Sequence, residues 1–481
     1  MANELHFPLF HGYVDRWLVS GVTETPVITK PTALHGAENE KLNTAPKDKP
    51  GEEQFKAERR AKATAWPAQL DTRPGGLVGG ADNATPFTVY WPFDDIGVTY
   101  AWDCETPACL SAWAYTELDA AEAGSVPFDL ITCGGAALWL NGEKLTEVTP
   151  YHHNEPVPTP LTLPLQKGRN KLLVFFDNYA ERDATIILRL RWKGEGTAPE
   201  QVIPVGEADA AHLAEAEHLM RSLAFHRNHF TAGPVLLDYD GADIAESYHL
   251  AFVGGTEENV KGGVLFRREA DTIPYASQIS LGDCKTFPLA FLLLQVTTEV
   301  EGIRLTRPIS VEIHTESVLP RALPTVAERK RQALELLARW GEQNTNRALA
   351  ILATGGDTAE AEKLLAVQSD YIRRRFDCSD FYLVYYPYIL RTFGKRGSGI
   401  LSEKTENELT DCLLGFRYWI DEPGNDAMWF WSENHALMFH TCQLLAGELF
   451  PDEVFTNSGL TGRQMQAKAK NMLYDWFVTF R

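Results

Sequence analysis

The stretch MWFWSENHALMFH, residues 428–440, sets the reading of this chain. Two indoles, Trp429 and Trp431, precede Ser432, a residue type that caps helix N-termini, and Glu433, Asn434 and His435 then fill a first turn. The apolar run behind them, 436–449, predicts a helix over 431–449 with a polar mouth. A carboxylate, an amide and an imidazole between indole rings suit carbohydrate chemistry. Aromatic faces stack on sugar rings, polar groups bind hydroxyls, and a carboxylate moves protons.

Outward from this helix, residues 326–481 read as helical throughout. Segments 326–353, 358–376, 379–394, 403–420 and 461–481 carry helical spacing, with stops at Gly355-Gly356, Gly397-Ser398-Gly399, Pro423-Gly424 and Pro451. Helix pairs in this order suggest a portion of an (α/α) toroid. The helices are fewer than a six-hairpin toroid requires, so the expectation is an incomplete, C-terminally truncated one.

The N-terminal part is different in kind. Residues 1–195 hold short runs rich in β-branched and aromatic residues, bounded by Gly, Pro, Asn and Asp, as in a β-sandwich. Between 37 and 63 lies a charged polar insert that reads as a solvated loop. A helical pattern at 207–225 bridges to a second, smaller β-rich domain within 196–320, and SVLPRALPT (317–325) reads as a linker. The fold class expected is therefore multidomain β plus α: a sandwich, a second β domain, and a helical region at 326–481.

Bulk properties narrow the function. A chain of 481 residues exceeds what one core supports. The net charge of −20 argues against nucleic acid or an anionic membrane surface as partner. No apolar run approaches the roughly 20 residues of a membrane span, and no secretion signal is visible, so a cytoplasmic location is expected. Seven scattered cysteines read as reduced thiols, and Cys104 and Cys109 lack a second pair for zinc. His212, His218, His226 and His229 cluster in sequence; the spacing of His226 and His229 would suit a metal on a helix, but no carboxylate-rich partner follows them. Neither a cofactor nor a metal is called for, and the β modules are compatible with a homo-oligomer.

Candidate chemistry concentrates in three places. Glu433 with Asn434, His435, Trp429 and Trp431 forms the first. The second is RRRFDCSDFYLVYYPY (373–388), in which Arg374 is a candidate to grip a uronate carboxylate, Asp380 to act as a second carboxylate, and Tyr385 to line the site. The third is FRYWIDEPG (416–424), with Arg417 and Trp419 at a helix end. Glycosidic hydrolysis uses two carboxylates, about 5–5.5 Å apart for retention and about 6.5–9.5 Å for inversion. Glu433 and Asp380 are the expected pair, with Asp377, Asp426 and Glu422 as further candidates. Alternatively Glu433 only caps its helix, the tyrosine-rich helix is core, and His440 either orients Glu433 or packs.

DCSDFYL (377–383), FRYWIDEPG, MWFWSENHALMFH and LFPDEVFTNSGLTG (449–462) together resemble glycoside hydrolase family 154, whose members carry β-sandwich modules ahead of an (α/α)6 barrel. The resemblance implies exo-β-glucuronidase-type activity on uronic-acid-containing glycans. Earlier in the chain, the Trp139–Gly142 "WLNG" turn followed by Leu165-x-x-Gly168-x-Asn170-x-Leu172 resembles the jelly-roll accessory domain of many glycoside hydrolases, read here as a scaffold. Two rival functions stay open: a polysaccharide lyase using Asn434 and His435, and a non-catalytic carbohydrate-binding fragment.

Overall fold

A computed structural model describes residues 4–26, 65–254, 266–314 and 325–479, apart from positions 94, 105, 153, 181, 182, 425, 427 and 431. The insert at 37–63, most of the 317–325 linker, and Trp431 lie outside the described residues.

The first unit is a β-sandwich. Its spine is the antiparallel pairing of Ala108–Ala120 with Gly168–Ala180 along their whole length. Leu110, Ala112, Ala114 and Leu118 of one strand and Leu172, Val174 and Phe176 of the other alternate inward. They meet Phe128, Leu130, Leu163, Ile186, Leu188 and Leu190 of the second sheet in one core, as period-two patterning requires. The expected tight turn is present: Asn141 and Gly142 both take positive φ, 52° and 89°, between strands Gly135–Leu140 and Glu143–Val148. Asn170 explains the sequence motif around it. Fully buried, it donates from Nδ2 to the carbonyls of Gln166 (2.7 Å) and Gly168 (2.8 Å), while its Oδ1 accepts from Gln166 N (2.8 Å). The motif holds a turn.

The boundary expected at 195/196 falls one strand early. Glu200–Pro204 pairs with Glu4–Phe7 and with Ala108–Ala120, completing the first sheet. The outer face of that sheet, through Tyr115, Trp139 and Leu173, shares a core with the helix α1 (Ala210–Ser222) and the second β domain. The two β units are thus fused through one apolar layer.

The C-terminal region has its own core. Its described helices are α2 (Val326–Trp340), α3 (Thr345–Ala353), α4 (Thr358–Arg373), α5 (Ser379–Leu383), α6 (Tyr386–Phe393), α7 (Glu403–Gly415), α8 (Glu433–Leu449) and α9 (Gly462–Thr479). Two segments expected as single helices are broken. At 341–344, Gly341 ends α2 and Asn344 starts α3, its Oδ1 accepting from Asn346 N and Arg347 N. Between α5 and α6, Pro387 stands in the first turn of α6. Without an N–H it cannot extend the preceding helix through that turn. The helix expected to reach 420 stops at Gly415, and Phe416 turns extended. Large apolar side chains stay exposed on both outermost helices, Leu334 and Leu337 on α2, Tyr474 and Phe477 on α9.

Candidate functional site

The site forms where α5 meets the N-terminus of α8. Asp380, second residue of α5, and His435, third of α8, face inward and join: His435 Nδ1 lies 2.9 Å from Asp380 Oδ2. Both are buried, Asp380 at 1% exposure and His435 at 6%. Burial raises the Asp380 pKa above the ordinary carboxylate value, and the hydrogen bond and charge of His435 oppose the rise. The edge of Phe381 meets the His435 ring with centroids 5.0 Å apart. A carboxylate that holds Nδ1 fixes the imidazole's orientation and leaves Nε2 for chemistry.

The turn leading into α5 is unusual. Arg375 and Cys378 adopt left-handed backbone, φ 56° and 64°, a conformation disfavoured for residues with a Cβ. The turn is held in place by Arg375, which donates from Nη2 to Asn457 Oδ1 (2.7 Å) and Gly415 O (3.3 Å). It brings Asp377 and Cys378 beside His435, with one donor atom from each of the three within 4.8 Å of the others. Cys378 Sγ also donates to Asp377 Oδ2 at 3.4 Å. A carboxylate, a thiol and an imidazole backed by a second carboxylate are a donor set that fits a borderline cation such as zinc.

The remaining predicted residues separate into exposed and structural ones. Glu433 is exposed in the first turn of α8. Ser432 stands at the N-cap but does not cap. Its hydroxyl donates instead to Asn434 Oδ1 (2.6 Å), which also accepts from His435 N (3.0 Å). Asn434 is exposed, Trp429 and Tyr385 are half-buried, and exposed Arg374 stacks on Phe376 at 4.3 Å.

Arg417 and Trp419 do not face solvent. Arg417 is buried and spends its guanidinium on Glu422 O (3.0 Å), Ile420 O (2.9 Å) and both oxygens of Asp426 (3.1 Å each). Trp419 packs among Phe430, Phe439 and His440, the last at 4.4 Å between centroids. Glu422 is buried as well, accepting from Tyr418 N and reached by Lys468 Nζ at 3.2 Å. FRYWIDEPG is therefore a loop whose buried charges are paired inside the protein, Arg417 with Asp426 and Glu422 with Lys468 of α9. His440, suggested as a partner for Glu433, is completely buried while Glu433 is exposed. Seven residues apart along a helix is roughly 10 Å, so the two do not meet.

Two participants escaped the sequence reading. Cys378 was visible within DCSDFYL, but nothing in sequence marks a left-handed backbone at cysteine. Trp476 of α9 donates from Nε1 to the carbonyl of Glu433 at 2.7 Å, bracing the first turn of α8. Its helix was legible; its register against α8 was not.

No known family profile matches this chain, and no curated protein matches it. Among solved structures, it is similar to a GH31 alpha-xylosidase from Xanthomonas citri at 17% identity and TM-score 0.14, over 24% of this chain and 14% of that one. It is similar to Ruminococcus gnavus beta-glucuronidase in complex with uronic isofagomine at 14% identity and TM-score 0.15, over 42% of this chain and 34% of that one. A beta-glycosidase from Bacteroides vulgatus shows 11% identity and TM-score 0.16, over 65% of this chain and 34% of that one. These neighbours are glycoside hydrolases, and the chain spans about a third or less of their length. Overlaps this slight say nothing of substrate. Among the described residues no helix is long and apolar enough to cross a membrane.

Proposed function

We propose that this chain is a glycoside hydrolase acting on uronic-acid-containing glycans in an exo-β-glucuronidase-like manner, with its site at the mouth of α8. The observation that carries the reading is the buried Asp380–His435 pair set directly behind the exposed first turn that bears Glu433 and Asn434. Glu433 is the solvent-reachable carboxylate that exchanges protons with the glycosidic oxygen or with water. Half-buried Asp377, beside His435, is the second carboxylate. Asp380 is already bonded and screened from solvent, so it acts as a positioning residue for His435 and not as the second carboxylate expected from sequence. Trp429 offers an aromatic face, and Arg374, exposed on its Phe376 platform, is the cation for a uronate carboxylate.

One feature favours a second reading. An imidazole whose Nδ1 is held by a buried carboxylate is a well-oriented base, and exposed Asn434 stands next to it in sequence. That arrangement suits a polysaccharide lyase, in which His435 removes the proton α to the uronate carboxyl.

Product analysis on a panel of glucuronate-containing oligosaccharides separates the two. Free uronic acid that disappears with Glu433→Gln supports the hydrolase. An unsaturated product absorbing in the near ultraviolet, lost with His435→Ala and kept with Glu433→Gln, supports the lyase. Neither product from the intact chain would sink both.

A further inference from the structure

We propose a divalent transition-metal site, of the zinc class, formed by His229, Glu312 and His314 on the edge of the second β domain. It is independent of the site on α8. The strand His229–Phe230 runs parallel to Ile303–Ile313, with His229 opposite Glu312. The ladder extends past both ends of this short pairing, Glu312 N donating to Asn228 O and His314 N to Phe230 O, each at 2.9 Å. Glu312 lies in the strand and His314 just past its end, two positions on and still bonded to Phe230 O, so both side chains project to the face that His229 shares. The pairing, more than the sequence spacing, assembles the set.

The three side chains converge on one point. His229 Nδ1 lies 3.5 Å from Glu312 Oε2, and His314 Nε2 lies 2.7 Å from Glu312 Oε1. Their donor atoms all fall within 4.8 Å of one another. Ligands of a tetrahedral zinc at 2.0–2.1 Å sit about 3.3 Å apart, so small side-chain rotations suffice. Two imidazoles and a carboxylate are the donor types zinc and its neighbours take, and a fourth position faces solvent. Other histidines of this domain meet carboxylates that no second histidine reaches: His218 with Asp240, His226 with Asp238, His249 with Asp271 and Glu269, His212 with Glu301 and Glu246. Among the described residues only His229 and His314 share one.

As the side chains stand, each imidazole turns a ring nitrogen toward the carboxylate. A bound cation instead needs lone pairs at His229 Nδ1 and His314 Nε2. Each neutral ring then carries its proton on the other nitrogen, and a charged ring releases one. The ion would clip the edge strand to the last strand of the sheet.

The test is zinc titration of the full chain by calorimetry, alongside thermal unfolding. Expected are binding at the intact site, a higher unfolding temperature with zinc, and at least tenfold weaker affinity at that site in both His314→Ala and Glu312→Gln. His226→Ala, which removes a singly paired histidine nearby in sequence, should leave the titration unchanged. None of these side chains is buried, with side-chain exposures of 48% for His229, 47% for Glu312 and 24% for His314, so the variants should fold. Zinc binding unaltered in His314→Ala and Glu312→Gln, or no binding by the intact chain, would overturn the assignment.

Discussion

Asp380 and His435, 55 residues apart in sequence, meet through a 2.9 Å hydrogen bond between Oδ2 and Nδ1 in the core between α5 and α8. The second oxygen of Asp380 is buried with no hydrogen-bond partner, so the carboxylate's burial is compensated mainly through the imidazole.

Replacing that carboxylate tests the pair. Asp380→Asn keeps the size but removes the charge that orients the ring, and activity should fall by up to about 10⁴-fold, the loss seen when the carboxylate orienting a triad histidine becomes an amide. Circular dichroism should show the fold retained. Unchanged turnover would mean that His435 takes no part in the chemistry.

His440 predicts acid lability of the helical region. Burial lowers its pKa from 6.5 to about 3, so the ring stays neutral in the folded chain while the unfolded chain protonates it. Between those two values the unfolded state binds more protons, and stability rises with pH. Falling from pH 7 to pH 5 should therefore cost about 2 kcal/mol through this group alone, at roughly 1.4 kcal/mol per pH unit below 6.5. In urea melts, His440→Leu should flatten that part of the stability–pH curve, because an apolar replacement leaves nothing to protonate. A curve as steep in the variant as in the parent would exclude His440 as its source.

The 416–426 loop should be intolerant. Arg417→Ala leaves the Asp426 carboxylate, itself only 6% exposed at the side chain, with Arg375 at 3.5 Å as its remaining cation, so the cost should approach that of a broken buried pair, about 3–5 kcal/mol. Gly424→Ala would place a Cβ 2.7 Å from Arg417 Cδ and from Asp426 Oδ2, an overpacking worth about 1–3 kcal/mol. Chemical denaturation reads both. Near-neutral effects would show the loop to be looser than its hydrogen bonds imply.

Trp476→Phe removes the donor to the Glu433 carbonyl and keeps an aromatic ring. The expected loss is about 0.5–1.5 kcal/mol, with added mobility in the first turn of α8 visible as faster amide hydrogen exchange at 433–436. Exchange that does not change would separate α9 from the upkeep of the site.

The local signals in the sequence held where a single segment decides the outcome. Alternating apolar residues along 108–120 and 168–180 specified strands, Asn141-Gly142 specified the hairpin, and the apolar run behind Ser432 specified α8. Each needs only its neighbours in the chain. The helix breaks at 341–344 and at Pro387 carried signals, a glycine stop with an asparagine cap and a proline, that yielded to the longer helical periodicity around them.

What the tertiary structure alone decided is which polar side chains leave water. Glu433 and His435 lie two positions apart, and a helical turn sends one outward and the other into the core beside Asp380. Arg417 and Trp419 read as ligands for a sugar because their residue types suit one, yet the guanidinium is spent on its own loop and Asp426, and the indole packs against Phe430 and α8. His229 lacked a carboxylate partner in its own segment, and strand pairing supplied Glu312 from 83 residues away. Sequence fixes each side chain's chemistry and local backbone preference. Burial and convergence depend on the packing of segments distant in the chain, which no local pattern encodes.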